Sequence, residues 1–194
     1  LLPLAAKGLL PGKIHINATT GSTGAGQKLT STSHFSWRAN NLSVYKAFEH
    51  QHLQEISESL DQLQPGFLPG GDEPLLRRAM KRINIVPQRG AFPRGILSAI
   101  YLDSLLTEAE AYALYEAYYE AHPFTHVSQD NIDLKQVVNT NKCLLHLEKH
   151  GDQLLIVSVV DNLLKGASGQ AVQNMNLLFG LDETAGLRLK SIGF

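Results

Sequence analysis

His50 and His52, in the run Glu49-His50-Gln51-His52-Leu53-Gln54-Glu55, form the densest local group among the eight histidines of the sequence. Imidazole changes protonation near neutral pH and also binds metals, so three chemistries compete for the pair. The first is a metal site, which needs further ligands of fixed geometry. No Cys pair or HExxH spacing supplies them, and no metal is expected. The second is a partly exposed pair at the start of a helix. The third is an acid/base partner for a thiolate or hydroxyl nucleophile within hydrogen-bonding reach. Cys143 is the only thiol. It sits in Lys142-Cys143-Leu144-Leu145-His146-Leu147, which reads as a strand, so it is a small buried hydrophobe. A catalytic cysteine, if this chemistry is the right one, lies outside the chain.

Two polar, glycine-rich turns stand far apart in the sequence. One is Thr19-Thr20-Gly21-Ser22-Thr23-Gly24-Ala25-Gly26. The other is Lys165-Gly166-Ala167-Ser168-Gly169, which follows the apolar run 154–160 and the pair Asp161-Asn162. Such loops bring backbone close to a ligand. Between them lies Ala91-Phe92-Pro93-Arg94-Gly95. An arginine fixed between Pro and Gly is placed to clamp a carboxylate or phosphate with its planar fork. Arg77, Arg78, Lys81 and Arg82 read instead as a solvated helix face.

Periodicity supplies the elements that must hold these groups. Alternation over 13–18 predicts a strand running into the first glycine loop. Residues 30–50 are polar and irregular, with Trp37 and Tyr45 as the larger anchors. Leu53, Ile56, Leu60 and Leu63 share a helical face that ends at Pro65-Gly66, and Gly70-Gly71-Asp72 marks a surface turn. Strands are predicted over 83–87 and 95–102. Thr107-Glu108-Ala109-Glu110 is a capping box whose helix runs to about Glu120. Its tyrosines 112, 115 and 119 form a core stripe, and His122-Pro123 ends it. Residues 137–138, 142–147 and 153–160 complete the strands. Ser168 is the expected N-cap of a last helix with Val172, Met175 and Phe179 on one face and Gly180 closing it.

The fold class is therefore α+β, one domain over 1–194, with a mixed, mostly antiparallel sheet and flanking helices. The 194 residues can enclose a core, and 43% hydrophobic with 18% charged residues suits a globular domain. A net charge of −1 gives no electrostatic case for nucleic acid or an anionic membrane. One cysteine excludes an internal disulfide and fits a reducing compartment. Leu1 to Leu10 reads as the tail of an apolar helix cut mid-element, so the chain is taken as a piece of something longer.

Several motifs together resemble the N-acetyl-gamma-glutamyl-phosphate reductase family, a branch of the aspartate-semialdehyde dehydrogenase-like reductases. They are the loop 21–26, His34-Phe35-Ser36, the segment 50–56, Pro93-Arg94-Gly95-Ile96, Asn139-Thr140-Asn141, the block 161–176, and Phe179-Gly180-Leu181-Asp182-Glu183. The resemblance implies a domain like the C-terminal part of glyceraldehyde-3-phosphate dehydrogenase-like enzymes. It also implies a nucleotide-binding half and a catalytic cysteine upstream of Leu1, and a helix over 167–180 returning to that half. The implied reaction is NADPH-dependent reduction of an acyl phosphate to a semialdehyde, in cytoplasmic arginine biosynthesis, by a homo-oligomer (dimer or tetramer).

Under the resemblance His52 or His50 would lower the thiol pKa and shuttle its proton. Arg94 would hold a substrate carboxylate or phosphate, and Tyr45 would line the pocket. Ser22, Thr23 and Gly24 would approach the nicotinamide of NADP, and Asn174 would bond its carboxamide. The chain departs from the family pattern at Thr23 (usually Ser), Gln54 (usually Pro) and Trp37 (often acidic). The last bears on whether the acyl group is acetyl or succinyl. The alternatives are a non-catalytic dimerisation domain and a histidine-metal hydrolase.

Overall fold

The computed structural model describes residues 1–10 and 12–192. Alternating apolar residues build the sheet: Ile14 and Ile16 in β1 (Ile14–Thr20), Ile83 and Ile85 in β3 (Ile83–Arg89), Leu154 and Ile156 in β7 (Gln153–Val160). All six are 6% exposed or less. With β2 (Ser43–Val44), β4 (Ile96–Asp103), β5 (Thr125–Ser128) and β6 (Cys143–His150) they form one seven-stranded sheet in the order β2-β3-β1-β4-β7-β6-β5. The β1/β3 and β5/β6 pairs are parallel and the other four antiparallel, so the sheet is mixed and mostly antiparallel as expected.

The parallel β1-to-β3 crossover carries α2 (Phe35–Arg38), β2, α3 (His52–Leu63) and α4 (Leu75–Met80). A short α1 (Leu2–Ala6) packs on α3 and on α5 (Glu108–Tyr119), and α5 lies on β5 and β6. Leu53 and Leu60 of α3, Tyr112 and Tyr115 of α5, and Leu145 and Leu147 of β6 join the core. The α5 capping box forms as expected: Glu110 N–H bonds Thr107 Oγ1 at 3.3 Å, and Thr107 N–H bonds Glu110 Oε2 at 2.8 Å.

Register places the functional loops. Thr20 lies opposite Arg89 on one side and Ile96 on the other, Ile96 opposite Val160, and Val160 opposite Cys143. The chain segments after β1, β3 and β7 and before β4 and β6 all lie at this one end of the sheet.

Three expectations need correction. Residues 137–138 are not a strand: a 3₁₀ turn over Leu134–Gln136, capped by Asp133, leads to Asn139 at φ 69°, which no strand accommodates. Ser168 does not cap the last helix. Its Oγ donates to Leu163 O at 2.8 Å within a π-helical turn, Leu164–Ser168, that runs directly into α6 (Gly169–Leu178). The face of Val172, Met175 and Phe179 is not the inner one either, since Met175 and Phe179 are 45% and 75% exposed while Gln173 and Asn176 are buried. The short strands β2 and β5, with few residues and weak alternation, are additions.

Ile156 sits mid-strand at 1% exposure, whereas Leu105 is fully exposed. Ile156→Ala should therefore destabilise the domain by about 3 kcal/mol and Leu105→Ser by under about 0.5 kcal/mol, read from denaturant midpoints.

Candidate functional site

The first glycine loop is sewn onto the segment before β4. Gly21 N–H donates to Gly95 O at 2.9 Å, Ser22 N–H to Phe92 O at 2.9 Å and Thr23 N–H to Pro93 O at 3.0 Å. Thr23 Oγ1 also donates to Pro93 O, at 2.6 Å. A Cβ on Gly21 would stand 2.6 Å from the Arg94 nitrogen and the Pro93 carbonyl, so only glycine permits this approach. Asn162, just after β7, bridges both segments by accepting Gly95 N–H at 2.6 Å and donating to Thr23 Oγ1 at 3.0 Å.

Asp161 anchors the assembly. Its carboxylate is fully buried, is ion-paired with Arg94 Nε at 2.7 Å, and accepts from Asn139 N–H at 2.6 Å, Leu163 N–H at 2.8 Å and Leu164 N–H at 3.0 Å. Burial opposes its charge. The Asn139 amide, the Arg94 guanidinium and the Leu163 and Leu164 amides outweigh that and hold the carboxyl below its ordinary range. Arg94, read from sequence as a ligand clamp, is thus ion-paired with a carboxylate of its own chain.

The histidine pair lies beyond β2. His50 Nδ1 accepts His52 N–H at 3.3 Å, and the two rings meet edge to face at 4.6 Å. Tyr45 meets His50 edge to face at 5.8 Å, and the Arg89 guanidinium lies 4.1 Å above the Tyr45 ring. Burial, then the neighbouring His52 and Lys46, push the His50 pKa below its ordinary value. With Nδ1 accepting, neutral His50 carries its proton on Nε2 and can only donate there. The structure thus brings Tyr45, His50 and His52 together in one aromatic run. Among the described residues no group of three or more His, Cys, Asp or Glu side chains is arranged to hold a metal ion.

Trp37 is not an anchor. It is 36% exposed and lines an open hollow of about 510 Å³ with Leu29, Thr30, Ser31, Ser33 and His34. The buried residue of α2 is Arg38, whose Nε donates to Gly90 O at 2.8 Å and whose Nη2 donates to Thr20 O at 2.9 Å. Arg38, Arg89 and the anchoring role of Asp161 went unread in the sequence. The repeated Arg-Gly steps at 89–90 and 94–95 were a usable signal for Arg89. Cys143 is half-buried, 3.7 Å from Ser158 Oγ, and burial raises its pKa, the opposite of an activated thiol.

On α6 the inner polar residues are joined by a lysine. Lys165 Nζ donates to Gln170 Oε1 at 2.7 Å and Gln173 Oε1 at 2.8 Å. Gln173 Nε2 donates to Glu183 Oε1 at 2.6 Å, and Gln170 Nε2 to Asn174 Oδ1 at 3.0 Å. Because Lys only donates, the amide chain has one polarity, and the Asn174 amide N–H groups point away as donors.

Residues 1–162 match the family described as semialdehyde dehydrogenase, dimerisation domain. The chain belongs to that family. It is 56% identical over 194 residues to an N-acetyl-gamma-glutamyl-phosphate reductase of Bacteroides thetaiotaomicron, and 57% identical over 197 residues to one of Flavobacterium johnsoniae. Both alignments take in all of this chain but 56% of the relative, so the chain spans a little over half the length of these relatives. An aspartate semialdehyde dehydrogenase II from Vibrio cholerae has the same fold, with a TM-score of 0.62 at 13% identity over 93% of this chain and 59% of that one. Family membership and fold therefore agree with the sequence reading, including the mixed sheet with flanking helices.

Asp161 makes acid sensitivity testable. A carboxyl held below its ordinary pKa contributes stability that is complete above about pH 4 and is lost as pH falls through the folded value. Asp161→Asn should lose about 3 kcal/mol at pH 7 and show a flatter fall in stability below pH 4, measured by urea unfolding across pH.

Proposed function

We propose that this chain is the substrate-side and subunit-contact part of an NADP-dependent reductase. The reaction converts an N-acyl-glutamyl 5-phosphate to the N-acyl-glutamate semialdehyde in arginine biosynthesis in the cytoplasm. The observation that carries this reading is unbroken identity of 56% across the whole chain with a protein named for that reaction. A non-enzymatic assembly role is the second reading, favoured by the matched family's description as a dimerisation domain.

In the proposed reaction a cysteine thiolate outside this chain attacks the acyl phosphate, phosphate leaves, and a thioester remains. NADPH, held by the loop 22–24 and Asn174, would supply the hydride that reduces the thioester, and the semialdehyde would leave as the thiolate is released. His52, with neither ring nitrogen engaged in a hydrogen bond among the described residues, takes and returns the proton. His50 orients it, with Tyr45 packed behind. His50 also offers an Nε2–H donor to developing negative charge. Arg94, already paired with Asp161, orients the segment before β4 and turns its remaining N–H donors toward a substrate carboxylate or phosphate.

The residues fit a nicotinamide cofactor. A Cβ at Gly24 would meet only Thr20 Oγ1 at 3.2 Å and Asn162 Nδ2 at 4.0 Å, so the loop surface is open there. Ser22 and Thr23 have their own amides bonded to Phe92 and Pro93, so they shape the loop rather than donate from the backbone. Asn174, whose Oδ1 accepts from Gln170, would offer its amide N–H to a carboxamide oxygen. Assembly as a homo-oligomer would use the sheet face opposite the core, where His15 stacks on Tyr101 at 4.9 Å and Ala99, Leu155 and Val157 are only partly buried. The chain alone, without nucleophile or nucleotide-binding half, would be inactive.

The test uses the full-length protein and follows phosphate-dependent NADPH formation from N-acetylglutamate semialdehyde, with the succinyl analogue alongside. His52→Asn should lower kcat about 100-fold or more, and His50→Asn less. No turnover of either substrate returns the chain to the assembly reading. Proton NMR of His50 should titrate below pH 6.5, and Lys46→Met or His52→Asn should move that midpoint up by removing a neighbouring positive charge.

A further inference from the structure

Three arginines sit at the loop-bearing end of the sheet, and they are held differently. Arg94 is ion-paired with Asp161. Arg38 is buried, but its acceptors are the neutral carbonyls of Gly90 and Thr20. These use two of the five N–H donors of its guanidinium. Arg89, at the last position of β3, has its guanidinium on the Tyr45 ring and forms no ion pair among the described residues. Arg38 and Arg89 are close enough to repel, and no carboxylate figures among the charges acting on Arg38, Tyr45 or His50. Lys46 adds to the same sign.

Two guanidinium groups and a lysine without a carboxylate are an unbalanced charge. In a chain of net charge −1 this is a local arrangement rather than a general excess. A stacked guanidinium keeps its N–H edge free, because the ring takes its face. Arg38 is fixed by its carbonyls, so little side-chain freedom remains to be lost on binding.

We propose that Arg89, with Arg38 behind it, forms an oxyanion subsite beside Tyr45 and His50 that receives a carboxylate or phosphate oxygen group of the substrate. The existence of this subsite stands on the geometry alone; its assignment to an acylglutamyl phosphate rests on the reductase reading. Arg94 is then a positioning residue, and Arg89 the direct anion contact. Tyr45 acts as the platform that keeps the Arg89 fork facing outward.

The test titrates inorganic phosphate and, separately, N-acetylglutamate into the full-length protein by calorimetry, comparing wild type with Arg89→Leu and Arg89→Lys. Thermal unfolding of each variant checks that it is folded. Binding should weaken about tenfold in Arg89→Leu and less in Arg89→Lys, and should fall with added salt. Tighter binding of phosphate assigns the subsite to the phosphoryl group, and tighter binding of N-acetylglutamate to a carboxylate. Equal affinity in wild type and folded Arg89→Leu, or no binding to wild type, overturns the proposal. Wild-type turnover with an unchanged substrate KM in Arg89→Leu would remove the subsite and leave the reductase reading intact. Arg89-dependent anion binding in a protein that turns over neither substrate would do the reverse.

Discussion

A carboxylate with no exposure to water keeps its charge only if donors surround it, and Asp161 is such a group. Its donors come from three places: Arg94 before β4, Asn139 before β6, and the turn that starts α6. One side chain therefore fixes three loops that share no secondary structure. The left-handed backbone of Asn139 fits this view, since it turns the amide toward the carboxylate at a conformation few residues other than glycine adopt readily. If the carboxylate were lost, Arg94 would keep its charge without that partner and two amides of the turn before α6 would lose their shared acceptor.

The sheet makes that hub useful. Mixed pairing places the ends of β1, β3 and β7 and the starts of β4 and β6 in one row, so loops distant in sequence meet without long connections. Close approach then depends on backbone alone. Gly21 touches the Pro93-Arg94 peptide where any side chain would collide. The side chain of Asn162 closes the gap as a paired donor and acceptor. The rigidity of the site thus comes from backbone groups satisfying one another, with few side chains involved.

Period-two alternation made the central strands legible, and the capping box made α5 legible, because both patterns report contacts local in sequence. The sidedness of α6 was not legible. Periodicity finds the helix, but an apolar stripe is assumed to face inward. Here Gln173 and Asn176 are inside because Lys165, Asn141, Glu183 and Ala185 bond the Gln173 amide at both ends and the Asn176 amide nitrogen. That depends on residues outside the helix, before it, after it and at Asn141, which the periodicity of the helix itself does not report. Ser168 misled for a related reason: its composition suits a cap, yet the π turn before α6 already continues the helix. At the site, the types of His50, His52 and Arg94 were readable, whereas the pairing of Arg94 with Asp161 required the sheet register that brings positions 94 and 161 together.

The three arginines show why residue type alone does not locate an anion site. A guanidinium opposite a buried carboxylate is electrostatically complete, and another anion must compete with a partner already desolvated. A guanidinium on carbonyl dipoles is held in place while its charge stays uncancelled. One stacked on an aromatic ring is held in place too, and its edge remains open to water. Fixation and neutralisation are separate properties, and only the combination of fixed and uncancelled gives a preorganised anion contact. At His50, burial first, and then the neighbouring His52 and Lys46, favour the neutral ring. A negatively charged group bound nearby would favour the protonated imidazole. Under the proposed roles, anion binding and proton transfer would thus be linked through the charge of one small cluster at the end of β3.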